Sequence, residues 1–320
     1  MQNRPSPTSL KFAALLLGAL AVIVAAHLFE PHYFSRTAKA FIKSLHAPGF
    51  AVVSAVLAFG LNRCGLGFKS YLYAAAGAFA AGVISELAQL SGPRHAGIDD
   101  LLKDLVGICA GLGLTATFDA RIRASLGAVR FGLLLLITGV SVTAALRESA
   151  SIAYALASRN AALPVLLTFD QPWEYHLYQE AGRPTVTLVD LPPDWPADIG
   201  SSVLRTQATG RYNTFLHLRP YPDWRDHDRF SFVAASGDAA SYELTVTIRD
   251  IRPTAGSPRN SFRSRITVTP NARRYSFRLE DIAAEAQARP FDFAHVDIVI
   301  LSLASETRTA TILLDDFRLH

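Results

Sequence analysis

Ser85-Glu86-Leu87-Ala88-Gln89, then Pro93-Arg94, then Asp99-Asp100-Leu101-Leu102-Lys103-Asp104-Leu105-Val106-Gly107 is the stretch that decides how this 320-residue chain is read. It sits between and within two apolar runs, at about 70–90 and 98–118, each long enough to cross a bilayer. Charged groups at a membrane span cost several kcal/mol unless they are paired or reach water, so a cluster of them marks a functional site.

Working outward, further apolar runs lie at about 10–29, 47–61 and 129–146. A span needs about 20 residues, and 47–61 reaches that length only if Ser44 to Arg63 all belong to its helix. The chain therefore reads as a multi-domain protein. An α-helical transmembrane bundle of about five spans (10–29, 44–63, 70–90, 98–118 and 129–146) fills residues 1–147. A linker over 148–162 continues the last span. From Leu163 the pattern changes to short alternating runs rich in Val, Thr, Phe and Tyr, broken by Pro, Gly and Asp, the pattern of an all-β domain over 163–320.

Charge follows the same boundary. Residues 1–162 carry 14 basic and 7 acidic side chains, residues 163–320 carry 17 and 20, and all five lysines fall in the first part. The basic pI therefore reports cations flanking membrane spans, and nucleic acid is not an expected partner. Cys64 and Cys109 both lie in the membrane part, so the β domain has no disulfide framework. At the amino terminus, Arg4 and Lys11 precede an apolar run ending Val24-Ala25-Ala26. That is compatible with a signal peptide, but its span length favours an uncleaved first helix.

Seven loop cations fall on each side of the bundle. Setting aside Arg94 and Lys103 as members of the polar cluster leaves seven against five, which favours a cytoplasmic amino terminus. With five spans, Lys43 and His46 open the second span from the same side on which Glu86 and Gln89 close the third and Asp100 and Asp104 open the fourth. The β domain begins on that side too, the expected periplasmic one. Glu86 and Gln89 are three apart and Asp100 and Asp104 four apart, so each pair shares a helix face. Gly107 and Gly111 continue the second stripe, where small residues permit close helix contact.

These residues resemble the VanZ-like family of small bacterial membrane proteins over about 10–120. Lys43 and His46 match its Lys-x-x-His, and Glu86, Gln89, Arg94, Asp100, Gly107 and Gly111 match its second element in spacing. Asp104 stands where the family usually has Asn, and Ile42 where an Asp often precedes the Lys. The resemblance implies a bacterial inner-membrane, multi-pass protein with a role in the cell envelope, in polysaccharide assembly or tolerance of glycopeptide antibiotics. It implies no defined reaction.

The cluster itself supports three readings. Glu86 or Asp100 can pair with Arg94 as a purely structural ion pair. Lys43, His46 and Arg94 can donate to an anionic or sugar-bearing lipid headgroup whose hydroxyls the carboxylates accept from. His46 with Glu86, Asp100 or Asp104 offers an acid, a base and oxygen ligands, although no compact metal motif is present.

In the β domain, strands are expected at Val165 to Phe169, Thr185 to Val189, Thr214 to Leu218, Arg229 to Ala234, Tyr242 to Ile248, Ser261 to Val268, Tyr275 to Leu279, Val296 to Leu303 and Thr309 to Leu319, with a short helix from Leu279 to Gln287. So many short strands suit a two-sheet jelly-roll sandwich. Leu166-Leu167-Thr168-Phe169-Asp170 and Ile312-Leu313-Leu314-Asp315-Asp316-Phe317-Arg318-Leu319 are similar to the end strands of galactose-binding-like jelly rolls, the group that includes many carbohydrate-binding modules. That resemblance implies a structural calcium held by Asp170 and Asp315. Trp173, Trp195 and Trp224 stand in Pro- and Asp-rich segments and are the candidates for stacking on a sugar ring.

The expected partners are thus membrane lipids and an envelope polysaccharide or lipid-linked glycan, bound without chemistry. An intramembrane enzyme acting on a lipid-linked sugar, and a scaffold docking a protein through its β domain, are the alternatives.

Overall fold

The computed structural model describes residues 36–89, 98–180, 185–193, 195–196, 199–209, 214–251, 260–286, 289–303 and 309–320. The expected span at 10–29 and Arg94 lie outside the described residues. The chain divides into two compact units, one including residues 41–150 and the other residues 151–320 with 36–40.

The first unit is helical. Its elements are the end of α1 (Arg36–Ser44), then α2 (His46–Leu61), α3 (Lys69–Gln89), α4 (Ile98–Phe118), the short α5 (Ala120–Ser125) and the first part of α6 (Ala128–Ala162). A π-helical turn, Asn62–Leu66, extends α2. Among the described residues three helices are long and apolar enough to cross a membrane: His46–Leu66, Ile98–Phe118 and Ala128–Ala162. The run over 47–61, short by itself, gains span length from this π-helical extension. The expected span at 70–90 forms a 21-residue helix, α3, which is not among those three. A count of five spans is accordingly not what the described residues give.

Close packing of α2 on α4 rests on two glycines. A Cβ at Gly107 would lie 2.1 Å from the Ala47 carbonyl oxygen, and one at Gly111 would lie 2.0 Å from that of Ala51. Both neighbours are backbone, so neither can yield without moving a helix. Ser54 Oγ, 3.2 Å from Ala51 O and 3.3 Å from Ile108 O, completes the contact with a hydroxyl that finds its partners on both helices.

The second unit is a sandwich of two antiparallel sheets. Its strands are β1 (Val165–Leu167), β2 (Tyr178–Glu180), β3 (Thr185–Asp190), β4 (Ser202–Thr209), β5 (Thr214–Leu218), β6 (Arg229–Ser236), β7 (Tyr242–Asp250), β8 (Ser261–Val268), β9 (Arg273–Arg278), β10 (Val296–Leu303) and β11 (Thr309–Leu319), with helix α7 (Leu279–Ala284) after β9. One sheet runs β3-β4-β11-β6-β9 with β1 on β11, and the other runs β2-β5-β10-β7-β8. The period-2 alternation explains the layering. Phe230, Phe232 and Ala234 of β6 and Leu244, Val246 and Ile248 of β7 turn inward to one core with Trp224, Leu216, Leu301 and Phe317.

The residues expected to be a linker, 148–162, are the distal part of α6, continuous with the last span. Ala155 of that helix is fully buried in the sandwich core, so this segment is part of the second unit's packing from residue 151 onward.

Candidate functional site

The helical unit assembles most of the polar residues that the sequence singles out. Lys43 at the end of α1 places Nζ 3.4 Å from Asp100 Oδ2. Three residues on, His46 opens α2 and sets Nδ1 3.3 Å from Asp104 Oδ1. Asp100 and Asp104, one turn apart on α4, thus meet Lys43 and His46 in order, and the Gly107 and Gly111 stripe brings the two helices close enough for this. Lys103 reaches from α4 to Glu148 at 2.7 Å and lies 4.0 Å from Asp100. Nearby on the same bundle, Ser149 Oγ donates to Ser44 O at 2.8 Å.

Depth separates the members. Lys43 and Lys103 are partly exposed, whereas Asp104 is 1% exposed. Asp104 Oδ2 has no hydrogen-bond partner among the described residues, and it lies 2.8 Å from where a Cβ at Gly82 would stand. Glycine at 82 is what lets the carboxylate sit against α3. Ser85 Oγ, also on α3, is buried and likewise without a partner. The arrangement has two partly exposed cations at Asp100 and, one turn on, a buried acceptor with a spare lone pair.

Of the other expected members, Glu86 is buried on α3 and Gln89 ends that helix. Arg94, the expected partner of Glu86 or Asp100, lies outside the described residues, among which the cationic partners of Asp100 are Lys43 and Lys103. Glu148 was not singled out by the sequence. Its position, where the apolar character of α6 gives way to polar residues, is the available signal.

The sandwich brings together a second, different set. Asp315 is fully buried on β11; its Oδ1 accepts from Asp316 N at 2.6 Å and its Oδ2 has no partner among the described residues. Burial pushes its pKa up to about 8, with the charges of Asp316, Asp170 and Glu174 adding to the rise. Glu174, which sequence reading missed, is buried too. It accepts from Thr168 N and Oγ1 at 2.8 and 3.1 Å and from Gln171 N at 3.2 Å, and burial raises its pKa. The Gln171-x-x-Glu174 spacing of a helix-start capping box was the available clue.

Calcium can be tested against this set. Asp170 Oδ1 already accepts from Ser201 N and Oγ and from Ser202 N, at 2.8 to 2.9 Å, so Asp170 clasps the start of β4. Among the described residues no three His, Cys, Asp or Glu side chains are grouped to hold a metal ion. Yet the orphaned Asp315 Oδ2, hard and surrounded by carboxylates, is the kind of donor that calcium satisfies. Asp315 Oδ2 is thus an oxygen that would hold calcium, whereas Asp170 Oδ1 is taken up by the start of β4 and its Oδ2 lies against Gly200.

The three tryptophans fare differently. Trp224 is wholly buried, stacked on Phe230 with ring centroids 5.2 Å apart, and its Nε1 donates to Tyr221 O at 2.6 Å. It is a core residue in this fold and has no face to offer a sugar, which corrects the expectation for it. Trp195 is also buried, in a separate cluster with Ile199, Val203, Val233 and Ala235 that covers the outside of the β3-β4-β11-β6-β9 sheet. It anchors its loop. Trp173 is half-buried against the core and alone among the three keeps substantial exposed surface.

The outer face of the second sheet is mixed, with Ile300 and Thr247 buried near its centre and Arg263 exposed on its edge strand. The register sets His217, Ile300, Thr247 and Arg263 abreast across β5, β10, β7 and β8, opposite the face that carries Leu216, Leu301 and Val246 to the core. Beside that row stand Ser302, Thr245 and Arg265.

The sequence matches no protein-family model and no curated protein. Solved structures similar to the sandwich part include carbohydrate-binding modules. A family 11 module from Clostridium thermocellum, in complex with a β-1,3-1,4-mixed-linked tetrasaccharide, is 12% identical, with 49% of this chain and 94% of that one covered and a TM-score of 0.37. The CBM22-1 xylan-binding domain from Paenibacillus barcinonensis is 17% identical, covering 48% and 91%, with a TM-score of 0.33. A family 30 module of a cellulosomal cellulase of Clostridium thermocellum is 12% identical, covering 49% and 92%, with a TM-score of 0.34.

Proposed function

We propose that this is a multi-pass protein of the bacterial inner membrane, related to the VanZ-like family, that binds an envelope glycolipid without transforming it. The headgroup is a sugar phosphate. Its phosphate meets Lys43 and Lys103, and a sugar hydroxyl donates to Asp104. The periplasmic sandwich engages the attached glycan through the hydroxyl-bearing outer face of the β2-β5-β10-β7-β8 sheet and through Trp173. Calcium, where bound at Asp315, is structural.

The observation that carries this reading is the orphaned Asp104 Oδ2, one helical turn from Asp100, which Lys43 and Lys103 both approach. An ion pair kept only for structure would have its buried acceptor satisfied, because an unmet buried polar group costs about 1 to 3 kcal/mol. A buried acceptor with partly exposed cations one turn away matches a ligand that carries hydroxyls and an anionic group together. A second reading, an intramembrane enzyme acting on a lipid-linked sugar, is favoured by the His46–Asp104 pair, which has the geometry of a base and its orienting acid.

The test uses the full chain in nanodiscs with a polyprenyl-phosphate-linked sugar and, as control, the free polyprenol. Binding of the sugar phosphate that falls at least about tenfold in Lys43→Gln/Lys103→Gln is expected. Equal binding of the polyprenol, or undiminished binding by the variant, rejects the headgroup site. Turnover of the sugar phosphate that is lost in His46→Ala establishes the enzymatic reading instead.

A further inference from the structure

The outer face of the β3-β4-β11-β6-β9 sheet is settled by the register of its last three strands. Phe230, Phe277 and Leu319 point into the core, so the residues that alternate with them point outward. Arg229 stands directly opposite Arg278, and Ser231 opposite both Ser276 and Arg318. Arg274 arrives at the same place, its Nη1 3.2 Å from Ser231 Oγ. His320 Nε2 lies 2.8 Å from that hydroxyl, and after burial it is the charges of Arg274 and Arg318 that most depress its basicity, with Arg229 adding to them.

Four guanidiniums therefore share one face, and two carboxylates pair with them. Asp316 is almost fully buried and is bound by both Arg274 and Arg318, which fixes those two side chains in place. Glu280 pairs with Arg278, but both partners are more than half exposed, and such pairs contribute at most about 1 kcal/mol. The Arg229 side chain pairs with no described residue. Like charges directly opposite on neighbouring strands repel, and a bound anion between Arg229 and Arg278 reverses that sign.

We infer that this face is a binding site for an acidic polysaccharide, whose uronate carboxylates are gripped by Arg229 and Arg278 while Ser276 meets sugar hydroxyls. The guanidinium fork matches a carboxylate in a way that an ammonium does not, and every basic residue of 163–320 is arginine. A membrane surface is the weaker fit. Interfacial docking pairs basic groups with apolar or aromatic ones, and the large apolar side chains exposed among the sandwich's described residues, Tyr175 and Leu188, are on neither β6, β9 nor β11. The inference rests on the glycan-binding reading only in taking the ligand to be a sugar polymer; the face and the acidic class are new to it.

The experiment compares the detergent-solubilised full chain with Arg229→Gln/Arg278→Gln, using polygalacturonate, its methyl ester and a neutral β-glucan. Both substituted side chains are exposed, so unchanged melting is expected and serves as the folding control. The parent should bind polygalacturonate with an affinity that falls as salt rises, and the variant at least about tenfold more weakly. The methyl ester, the same chain without its charges, should bind neither. Equal binding by parent and variant overturns the inference, as does equal binding of acid and ester, or binding to phosphatidylglycerol vesicles without binding to the polymer. Neutral glucan bound by both proteins, with polygalacturonate bound by neither, rejects this face and leaves the glycan reading standing; no polymer bound at all rejects both. Should the double variant melt below the parent, Arg229→Lys/Arg278→Lys decides: keeping the charge without the fork, it should still lose several-fold in affinity, and undiminished binding overturns the clamp.

Discussion

Each half of this molecule buries one carboxylate with an oxygen that no described group satisfies: Asp104 in the helical unit and Asp315 in the sandwich, 1% and 0% exposed. Their surroundings are opposite. Asp104 is met by His46, with Lys43 and Lys103 one turn away, whereas Asp315 is surrounded by Asp316, Asp170 and Glu174. Asp104 has a donor at one oxygen and lacks one at the other, which a neutral hydroxyl would supply. A carboxylate among carboxylates must take up a proton or a cation. The same defect thus asks for different ligands, and the neighbours, not the acid, decide which.

The contrast is most exposed to attack at His46. If His46 and Asp104 act as a buried pair, His46→Ala strands the acid, at a cost of about 3 to 5 kcal/mol. The expected outcome is a large drop in the melting temperature of the detergent-solubilised protein. Adding Asp104→Asn should recover part of it by removing the acid left without its partner. If His46→Ala melts with the parent, Asp104 is not held by His46 and the two halves do not differ as described.

The sandwich gives a smaller effect of opposite kind. The Asp315 pKa lies at about 8 in the folded protein against 3.8 for the free side chain, so the folded state holds its proton more tightly. That contribution is complete below about pH 4 and is lost as pH rises through about 8, on the order of several kcal/mol in total. The sandwich transition should therefore move to lower temperature between pH 5 and 9, and Asp315→Asn should flatten the profile. Calcium at pH 9 should restore the parent and leave the Asn variant unmoved, because a ligand stabilises only the form that binds it. A profile in the parent as flat as that of the variant would show Asp315 to be an ordinary ionised acid.

The helical site was legible in the sequence because charge is conspicuous among apolar residues. Offsets of three and four placed Asp100 with Asp104, and the glycine stripe announced the close contact that carries Lys43 and His46 to them. The sandwich hid more. β8, β10 and β11 were readable to their ends, β8 by its alternation and β10 and β11 as runs buried almost throughout. β4 was not, because Val203 is apolar on the outer face under the Trp195 loop while Thr206 is polar yet fully buried on the inner one; alternation fails when both faces are covered. β2 is three residues after a helical turn, too short to show a period. Trp195 and Trp224 read as loop aromatics because their neighbours are Pro and Asp, and only the fold reveals that those loops close over them. The arginine face is invisible along the chain, since Arg229, Arg274, Arg278 and Arg318 become neighbours through register alone.

The smallest expected change tests whether the partly exposed lysines are available to a ligand at all. Lys103 and Glu148 are 32% and 42% exposed, and a pair so placed contributes about 1 kcal/mol or less. Glu148→Gln should therefore shift melting little. It should, however, release Lys103 from its strongest anionic competitor, so a phosphate headgroup ought to bind a few-fold more tightly, an electrostatic gain that fades as salt screens it. Weaker headgroup binding in Glu148→Gln, or a loss of stability well beyond that expected for an exposed pair, would make Lys103 a strut between α4 and α6 and not a cation open to a ligand. The helical carboxylate would then be enclosed by structure on every side, like that of the sandwich, and the contrast between the two halves would shrink to the sign of the charges around them.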